Sequence, residues 1–560
     1  MKQIFFYLTL GLTTILSGSV WAAPTSAELK VGITQEYETL NPIVKTMAAT
    51  SYIFQMVGRA MVTLDENGHW VPQLVKSIPS LENKQAQLSA DKKKITAIWE
   101  LKDNAKWGDG QDITCEDFAF TREVAMNENV STPNKETYSD IESITWDPKT
   151  PKKCVFVYAK PTWTFYQEAD FHPIPYHLEK AVYDKYKDQK EGYEKNTLYS
   201  KDPTNPGLYD GPYRIFEVKL ADHVTVVPNP YFYGKAPRIQ KIQIKLIPNT
   251  GTLEANLRSG TIDAVSSLGF TFDQALNLEK KVKTDKLPFS VLFKPSTRYE
   301  HIDLNLENPF LKDIRVRKAL VYAINRPELA KALFENKLEP AIHNVAPIDP
   351  WYTKNPKDIV LYNYDKKKAA SLLEEAGWRL EGDGFRHKDG KKLSLIFMTT
   401  AGDKNREQVQ VRLQSQWKAV GIDVNIKNEP ARVLFGETMR KKNFGAMSLF
   451  GWASSPENSP RGQLHSQQIP SEKNGWSGQN FTSYSNPEMD KLLDQLDLEF
   501  NPKRRLELVS RILHLYTDEI PVIPLFYNAD VAVNPLNLNG FHLTGHQFSE
   551  SNHVENWEIK

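Results

Sequence analysis

The sequence has few cysteines, almost no net charge and no long apolar stretch in its interior. Only Cys115 and Cys154 occur in 560 residues. Lys plus Arg total 70 and Asp plus Glu total 69, so the chain has no overall field that attracts nucleic acid or an anionic membrane. We therefore predict that any partner is recognised locally and that nucleic acid is not bound.

Common catalytic motifs are also absent. The chain contains no Gly-x-Ser-x-Gly, phosphate-binding loop, His-Glu-x-x-His or Cys-x-x-Cys pattern, which argues against the usual hydrolases, nucleotide enzymes and zinc enzymes. The 12 histidines are scattered, and we favour solvated histidines over metal ligands for the nearest pairs, His172 with His177 and His542 with His546. We predict no enzyme activity, no metal and no cofactor.

The composition is nevertheless that of a well-packed protein. Hydrophobic residues make up 40% of the chain and charged residues 25%, with 12 Trp, 23 Tyr and 26 Phe. This excludes intrinsic disorder. Because 560 residues exceed the usual size of one domain, two or three lobes are expected.

The amino terminus predicts a secretory signal peptide over residues 1–22. Lys2 provides the positive start, Ile4 to Ile15 are mainly apolar, and Val20 and Ala22 suit cleavage after Ala22. No later segment reaches the roughly twenty apolar residues of a membrane span. We expect an exported, soluble mature protein, without a lipid anchor because no cysteine lies near the cleavage point.

The cysteines and one supersecondary unit give the clearest structural predictions. In an oxidising compartment Cys115 and Cys154 favour a disulfide, the alternative being two buried thiols. Residues 393–427 predict a strand, a helix and a second strand, hence a β-α-β unit in an α/β fold. Asn-Pro pairs at 486–487 and 501–502 predict the starts of two further helices.

Candidate ligand-binding residues cluster near a predicted strand end. Trp452 precedes the small residues Ser454 and Ser455, and Arg461 and His465 follow. An aromatic wall with hydroxyls and a cation is typical of a binding pocket. The alternative is a core tryptophan with surface serine and arginine side chains. Arg432 follows the β-α-β unit at a strand end, where ligand groups are common, although a surface ion pair is the other interpretation.

Five blocks in order resemble the family 5 extracellular solute-binding proteins, the peptide and nickel receptors of bacterial ABC importers. They contain the following sequences: WELKDNAKWGDGQDITCEDFAFT (99–121), GLYDGPYRIFEV with LRSGTID (within 205–263), LNLENPFLKDIRVRKALVYAINR (304–326), the helix of 364–378 and the final helices and Pro-x-Ile-Pro of 483–527. Each block alone is weak. Together they span most of residues 30–530.

The resemblance implies a class II, two-lobe periplasmic binding protein-like fold of the large oligopeptide-receptor type. Lobe I would comprise residues 23–293 and 525–560, with a subdomain near 66–205, and lobe II residues 294–524. Both cysteines would then lie within one subdomain. Ligand contact with both lobes would stabilise a closed state that a permease reads.

The implied function is a periplasmic, monomeric receptor that delivers an oligopeptide or peptide-like solute to an ABC permease. Relatives that bind nickel chelates, opines or glycosides keep a non-peptide ligand open, and a secreted hydrolase or a chaperone-like or signalling trap is a more distant alternative. Family members that bind peptides carry an Asp for the ligand's α-ammonium where this chain has Ser455. Either another carboxylate such as Glu457 substitutes, or the ligand lacks a free amine; Arg432, Arg461 and His465 would suit an acidic ligand.

Overall fold

The computed structural model describes residues 28–560 apart from 38, 46, 134, 168–170, 475 and 477, so the predicted signal peptide lies outside the described residues. The strands of the described part are β1 (Glu28–Ile33), β2 (Val62–Leu64), β3 (Trp70–Pro72), β4 (Ala86–Leu88), β5 (Ile95–Glu100), β6 (Ile141–Thr145), β7 (Lys153–Tyr158), β8 (Tyr213–Lys219), β9 (His223–Pro228), β10 (Lys241–Leu246), β11 (Ala264–Val265), β12 (Phe289–Leu304), β13 (Arg379–Leu380), β14 (Arg386–Lys388), β15 (Lys391–Lys392), β16 (Ser394–Thr399), β17 (Asp423–Ile426), β18 (Met447–Ala453), β19 (Val522–Pro535), β20 (Leu538–Asn539) and β21 (Glu558–Ile559).

The helices are α1 (Ala48–Val57), α2 (Cys115–Met126), α3 (Glu136–Ser139), α4 (Tyr176–Tyr186), α5 (Gly192–Asn196), α6 (Leu198–Lys201), α7 (Leu253–Arg258), α8 (Phe272–Asp285), α9 (Ile314–Tyr322), α10 (Arg326–Phe334), α11 (Lys366–Glu375), α12 (Lys404–Lys418), α13 (Ala431–Val433), α14 (Arg461–Leu464), α15 (Pro487–Asp497) and α16 (Pro502–Glu519). In the described residues, no helix is both long enough and apolar enough to cross a membrane.

A mixed sheet runs through both halves of the protein. Its strand order is β17-β16-β18-β12-β19-β11-β1-β10-β9-β8. The long strands β12 and β19 lie side by side in the middle and pair antiparallel from Phe289↔Pro535 to Asp303↔Val522. At one end β12 joins β18, and at the other β19 joins β11. The chain thus crosses twice between two lobes, as the resemblance implies. The exact lobe boundaries stay a prediction.

The predicted β-α-β unit is confirmed in the second half. Strands β16 and β17 pair in parallel, and α12 connects them. Apolar residues on one stripe of α12, including Val409, Leu413 and Trp417, are fully buried. Asp403 accepts a hydrogen bond from the backbone N–H of Arg406 and so caps the helix. The helix can be predicted from the sequence because its apolar residues recur with a period of 3.6.

The predicted disulfide is also confirmed. Cys115 begins α2 and bonds to Cys154 on β7, with 5.3 Å between the two Cα atoms. Strand β7 lies between β5 and β6 in a separate four-stranded sheet. At the helix start, the Asp117 carboxylate accepts the Thr114 N–H as part of a capping box. The disulfide therefore joins a helix to a sheet within one subdomain.

Strand β19 does not follow from the sequence, because Pro521 and Pro524 interrupt the pattern there. Proline lacks an N–H and is disfavoured inside a sheet. Here Pro524 pairs with His301 directly after a register shift between Glu300 and His301. This irregularity in the pairing accommodates the missing N–H of Pro524. The carbonyl of Pro524 accepts a hydrogen bond from the Arg326 side chain.

Separate apolar cores support the two lobes. One cluster gathers residues from β1 to β10 with the carboxyl-terminal segment, and a second gathers residues from β12, α9, α11, α12 and β16. A third cluster packs α15 and α16, and it includes Trp163 from the first half. That ring is 1% exposed. Trp163 therefore connects the first half of the chain to the core cluster of α15 and α16.

Candidate functional site

One face of β12 forms the floor of a cavity in the second half. Side chains alternate across a strand, and the alternate residues Thr297, Tyr299, His301 and Asp303 all line this cavity. Each is buried, between 3% and 7% exposed. The floor is therefore polar although it lies inside the protein, and such groups need partners.

The end of β18 and the loop that follows it form one wall. Trp452 is paired with Tyr299 across the sheet, and Ser454 and Ser455 come next on the same cavity surface. With its amide oxygen turned toward the indole, Gln463 accepts the Trp452 Nε1–H at 2.6 Å. The indole is thus held in place beside two small hydroxyl side chains.

The segment 344–349 forms a further part of the wall, next to the loop after β18, and contributes Asp349. This carboxylate is 9% exposed and accepts the N–H groups of Trp351 at 2.8 Å and Glu457 at 3.1 Å. Burial is the main cause that raises the pKa of Asp349, to about 7, and the nearby charge of Glu457 adds to it. Because Glu457 is two residues beyond Ser455, its N–H holds the Asp349 carboxylate beside the Ser455 loop.

The described lining of the cavity is acidic. Its charged or titratable side chains other than tyrosine are Asp303, Asp349 and His301, and no lysine or arginine lies among the described lining residues. His301 Nε2 lies 3.3 Å from Asp303 Oδ1, and its ring stacks on Tyr299 at 4.6 Å. A cationic group is the natural complement of such a lining.

The cavity is narrow in this conformation, with a volume of about 40 Å³. One water molecule needs roughly 10 to 15 Å³ by this measure. The enclosed space therefore holds a few waters or one small chemical group of a ligand. The described residues contain no group of three His, Cys, Asp or Glu side chains that could hold a metal ion.

Comparison with known proteins decides the family. The sequence model described as "Bacterial extracellular solute-binding proteins, family 5 Middle" matches residues 69–472. The chain belongs to this family. Family 5 proteins are substrate-binding receptors, and the fold and the resemblance predicted from the sequence motifs are thereby confirmed.

The matches to individual relatives extend over nearly the whole of this chain. The oligopeptide-binding protein AppA of Bacillus subtilis is 26% identical over 536 residues, which is 95% of this chain and 91% of AppA. The oligopeptide-binding protein of Thermus thermophilus, solved with a pentapeptide, is 25% identical with a TM-score of 0.67, and the match covers 95% of this chain and 96% of that chain. NikZ of Campylobacter jejuni, solved with Ni(L-His), shares the fold at 24% identity and a TM-score of 0.69, covering 96% and 100%.

Within this family 5 fold, three of the six predicted ligand-binding residues line the cavity. These are Trp452, Ser454 and Ser455. The aromatic residue and the hydroxyls are brought together because β18 ends at the cavity wall. Whether they touch a ligand stays a prediction.

The other three predicted residues are placed differently. Arg461 donates to Asp494 at 2.7 Å and to Asp497 at 3.2 Å on α15. His465 is 2% exposed and its Nε2 lies 3.4 Å from Asp494. Neither is among the lining residues, since carboxylates of the protein itself hold them. Arg432 lies in α13, and its side chain is outside the described part of the structure.

Several residues that line the cavity are not predicted from the sequence. Tyr299, His301 and Asp303 follow the period of two that a strand gives, so a polar face of β12 could have been read from that alternation. Asp349 carries no such signal, because it lies in an irregular segment between α10 and α11. Glu457, the carboxylate considered from the sequence, is half-buried beside Asp349, and burial raises its pKa, but it is not among the lining residues.

Trp163, from the first half of the chain, packs close to this region. Its ring centre lies 5.8 Å from that of Trp351, and the Arg505 guanidinium stacks over it at 4.0 Å. The same apolar cluster contains Leu464 and Val522, which also line the cavity. Contact between the lobes is therefore continuous with the wall of the cavity.

Proposed function

We propose that this family 5 protein is the periplasmic substrate-binding subunit of an ABC importer. It captures an oligopeptide or peptide-like solute between its lobes and delivers it, as a monomer, to the transmembrane permease. It binds its ligand without chemical turnover. The observation that supports this proposal most strongly is a buried cavity within a family 5 fold. The cavity combines an aromatic wall, hydroxyls and carboxylates. The oligopeptide-binding relatives support the ligand class.

The ligand end bound in the cavity is an ammonium group. Ser455 supplies only a neutral oxygen, but the Asp349 carboxylate is held beside the same loop by the Glu457 N–H. An ammonium that enters would form a charge-assisted pair with Asp349, and the hydroxyls of Ser454 and Ser455 could accept its remaining hydrogens. The acidic-ligand hypothesis loses support, because Arg461 and His465 are paired with Asp494 instead.

We infer that the two lobes close over the part of the ligand that lies outside this cavity. The cavity of about 40 Å³ is lined by residues between 297 and 522, all within the predicted lobe II, and it has room for one end group of a peptide. Trp163 from the first half of the chain packs against Trp351 and Arg505 from the second half, and we infer that this contact belongs to the closed state. A ligand that touches both lobes would favour that state by its differential affinity, which is the signal a permease can read.

The test begins with the ligand that the protein carries. Protein purified from the periplasm is denatured, and the released small molecules are identified by mass spectrometry. In parallel, the ligand-free protein is incubated with pooled random pentapeptides that have either free or acetylated amino termini. We expect retention of peptides with free amino termini. Retention of neither pool, together with release of a non-peptide molecule, would replace the peptide proposal by the non-peptide alternative.

A further inference from the structure

A second cavity lies on the far side of Tyr516 and Val522, which line both cavities. Its volume is about 280 Å³, seven times that of the first by the same measure. The walls are mainly apolar and come from α9, the segments 340–342 and 360–364, and the start of β19; they include Val321, Ile324, Pro327, Pro340, Ala341, Ile342, Val360, Leu361, Ile520, Val522 and Pro524.

One cation faces this apolar space. Arg326, the first residue of α10, lines the cavity, and its Nε–H donates to the carbonyl of Pro524 at 2.8 Å. No carboxylate is found among the described lining residues. Burial lowers the pKa of Arg326 to about 10, which is the expected consequence of desolvating a cation without an anionic partner.

The buried arginines Arg317 and Arg386 are paired differently from Arg326, which is half-buried. The Arg317 guanidinium donates to three backbone carbonyls, those of Leu311, Lys312 and Glu519. Arg386 donates to two carbonyls and lies 3.5 Å from Glu374. Within the described residues, Arg326 has the single bond to Pro524, so its two Nη groups are without an acceptor. A planar guanidinium with free Nη groups is suited to a bidentate carboxylate.

We propose that this cavity binds a small apolar carboxylate, whose carboxylate pairs with Arg326 while its hydrocarbon part fills the apolar walls. Leu361 and Tyr364 lie at the rim and are 42% and 39% exposed. They leave apolar surface at the entrance, where a hydrocarbon tail would cover it. The site is separate from the peptide cavity and does not rest on the function proposed above.

The test uses octanoate as the probe, with octanamide as its neutral analogue, titrated by calorimetry into the mature full-length chain. We expect one octanoate per protein and at least about tenfold weaker binding of octanamide, because the amide lacks the charge that pairs with Arg326. Arg326→Gln should weaken octanoate binding by at least about tenfold, and Arg326→Lys should weaken it less. Equal binding of octanoate and octanamide would overturn the proposal.

A second pair of variants decides the question even if Arg326→Gln fails to fold. Leu361→Asp places a negative charge at the rim, whereas Leu361→Asn is its neutral match, and the position is exposed enough to tolerate both. Octanoate should bind about threefold or more weakly to the Asp variant than to the Asn variant. Equal affinities would contradict the site. Tighter octanoate binding to Asp349→Asn would place the probe in the acidic cavity instead and would also overturn the proposal.

Discussion

The buried environment of the Asp349 carboxylate could not be predicted from its position in the sequence. Nothing in the segment around it marks a functional residue. The structure nevertheless buries it in the cavity, gives it two N–H donors and raises its pKa to about 7. A carboxylate that is desolvated but supported by donors is prepared to receive a cation.

The raised pKa predicts how the stability of the empty protein depends on pH. Because the pKa of Asp349 rises from its ordinary value of 3.8 to about 7 in the fold, the folded state keeps a proton that the unfolded chain releases. The contribution to stability is complete below about pH 4 and is lost as the pH rises to about 7, at about 1.4 kcal/mol per pKa unit. Chemical unfolding of wild type and Asp349→Asn over this range should show a difference that changes with pH. Parallel curves would contradict the assignment.

Ligand binding should follow the opposite trend. An ammonium needs ionised Asp349, so the affinity for a peptide with a free amino terminus should fall as the pH drops below about 7. Calorimetry at several pH values measures this change. Asp349→Asn is the control, because its affinity should lose most of this dependence. A wild-type affinity that is independent of pH would contradict the pairing.

At the scale of elements, the disulfide between α2 and β7 allows a prediction that separates stability from ligand affinity. Cys115→Ala with Cys154→Ala opens a link across 39 residues, and removal of a disulfide usually costs about 2 to 5 kcal/mol. The bridge lies in a subdomain sheet away from the cavity lining. The double variant should therefore unfold at lower denaturant but bind its ligand with unchanged affinity. A large loss of affinity at conditions where the variant is folded would contradict this separation.

Helix α16 offers a second element-scale test. It carries Arg505 and Tyr516 toward the lobe contact and the cavity. The side chain of Asn501 accepts the N–H groups of Lys503 and Arg504 and so caps this helix. Asn501→Ala should lower the free energy of unfolding by about 1 kcal/mol, whereas Asn501→Asp keeps the cap and should cost little. Denaturant unfolding measures both variants, and equal losses would contradict the cap.

The elements also show how far the sequence predicts the structure. The periodic stripe of α12 and the Asn-Pro helix starts are local signals, and both are confirmed. Strand β19 forms because it pairs with β12, which lies more than two hundred residues earlier in the sequence. Its proline breaks the local strand pattern, so the strand is not predicted from the sequence. In the cavity, Trp452 could be predicted from its strand end, whereas Asp349 is brought in by an irregular segment without a local pattern.

At the scale of the whole molecule, the contact of Trp163 with Trp351 and Arg505 joins the first half of the chain to the second, and the proposed function assigns this contact to the closed state. Trp163→Ala removes a buried ring from the core cluster of the other lobe. Because the proposed function assigns this contact to the closed state, we expect the affinity for ligand to fall by about tenfold. Small-angle X-ray scattering should show a more open average shape.

A matched control keeps this prediction specific. Trp146 is partly buried against the core of the first half and has no part in the cluster of the second. Trp146→Ala should therefore lower stability without changing affinity or the scattering curve. If both variants reduce affinity equally, the effect of Trp163 is one of general stability and closure does not depend on it.

The central claim is that Asp349 takes the place of the aspartate that this chain lacks at Ser455, and one comparison tests it most directly. The best-retained pentapeptide and its N-acetylated twin are titrated into wild type and Asp349→Asn. Wild type should prefer the free amine by about tenfold or more, and the variant should lose that preference, because the charge-assisted pair is gone. Equal wild-type affinity for both peptides, or an unchanged preference in Asp349→Asn, would contradict the account.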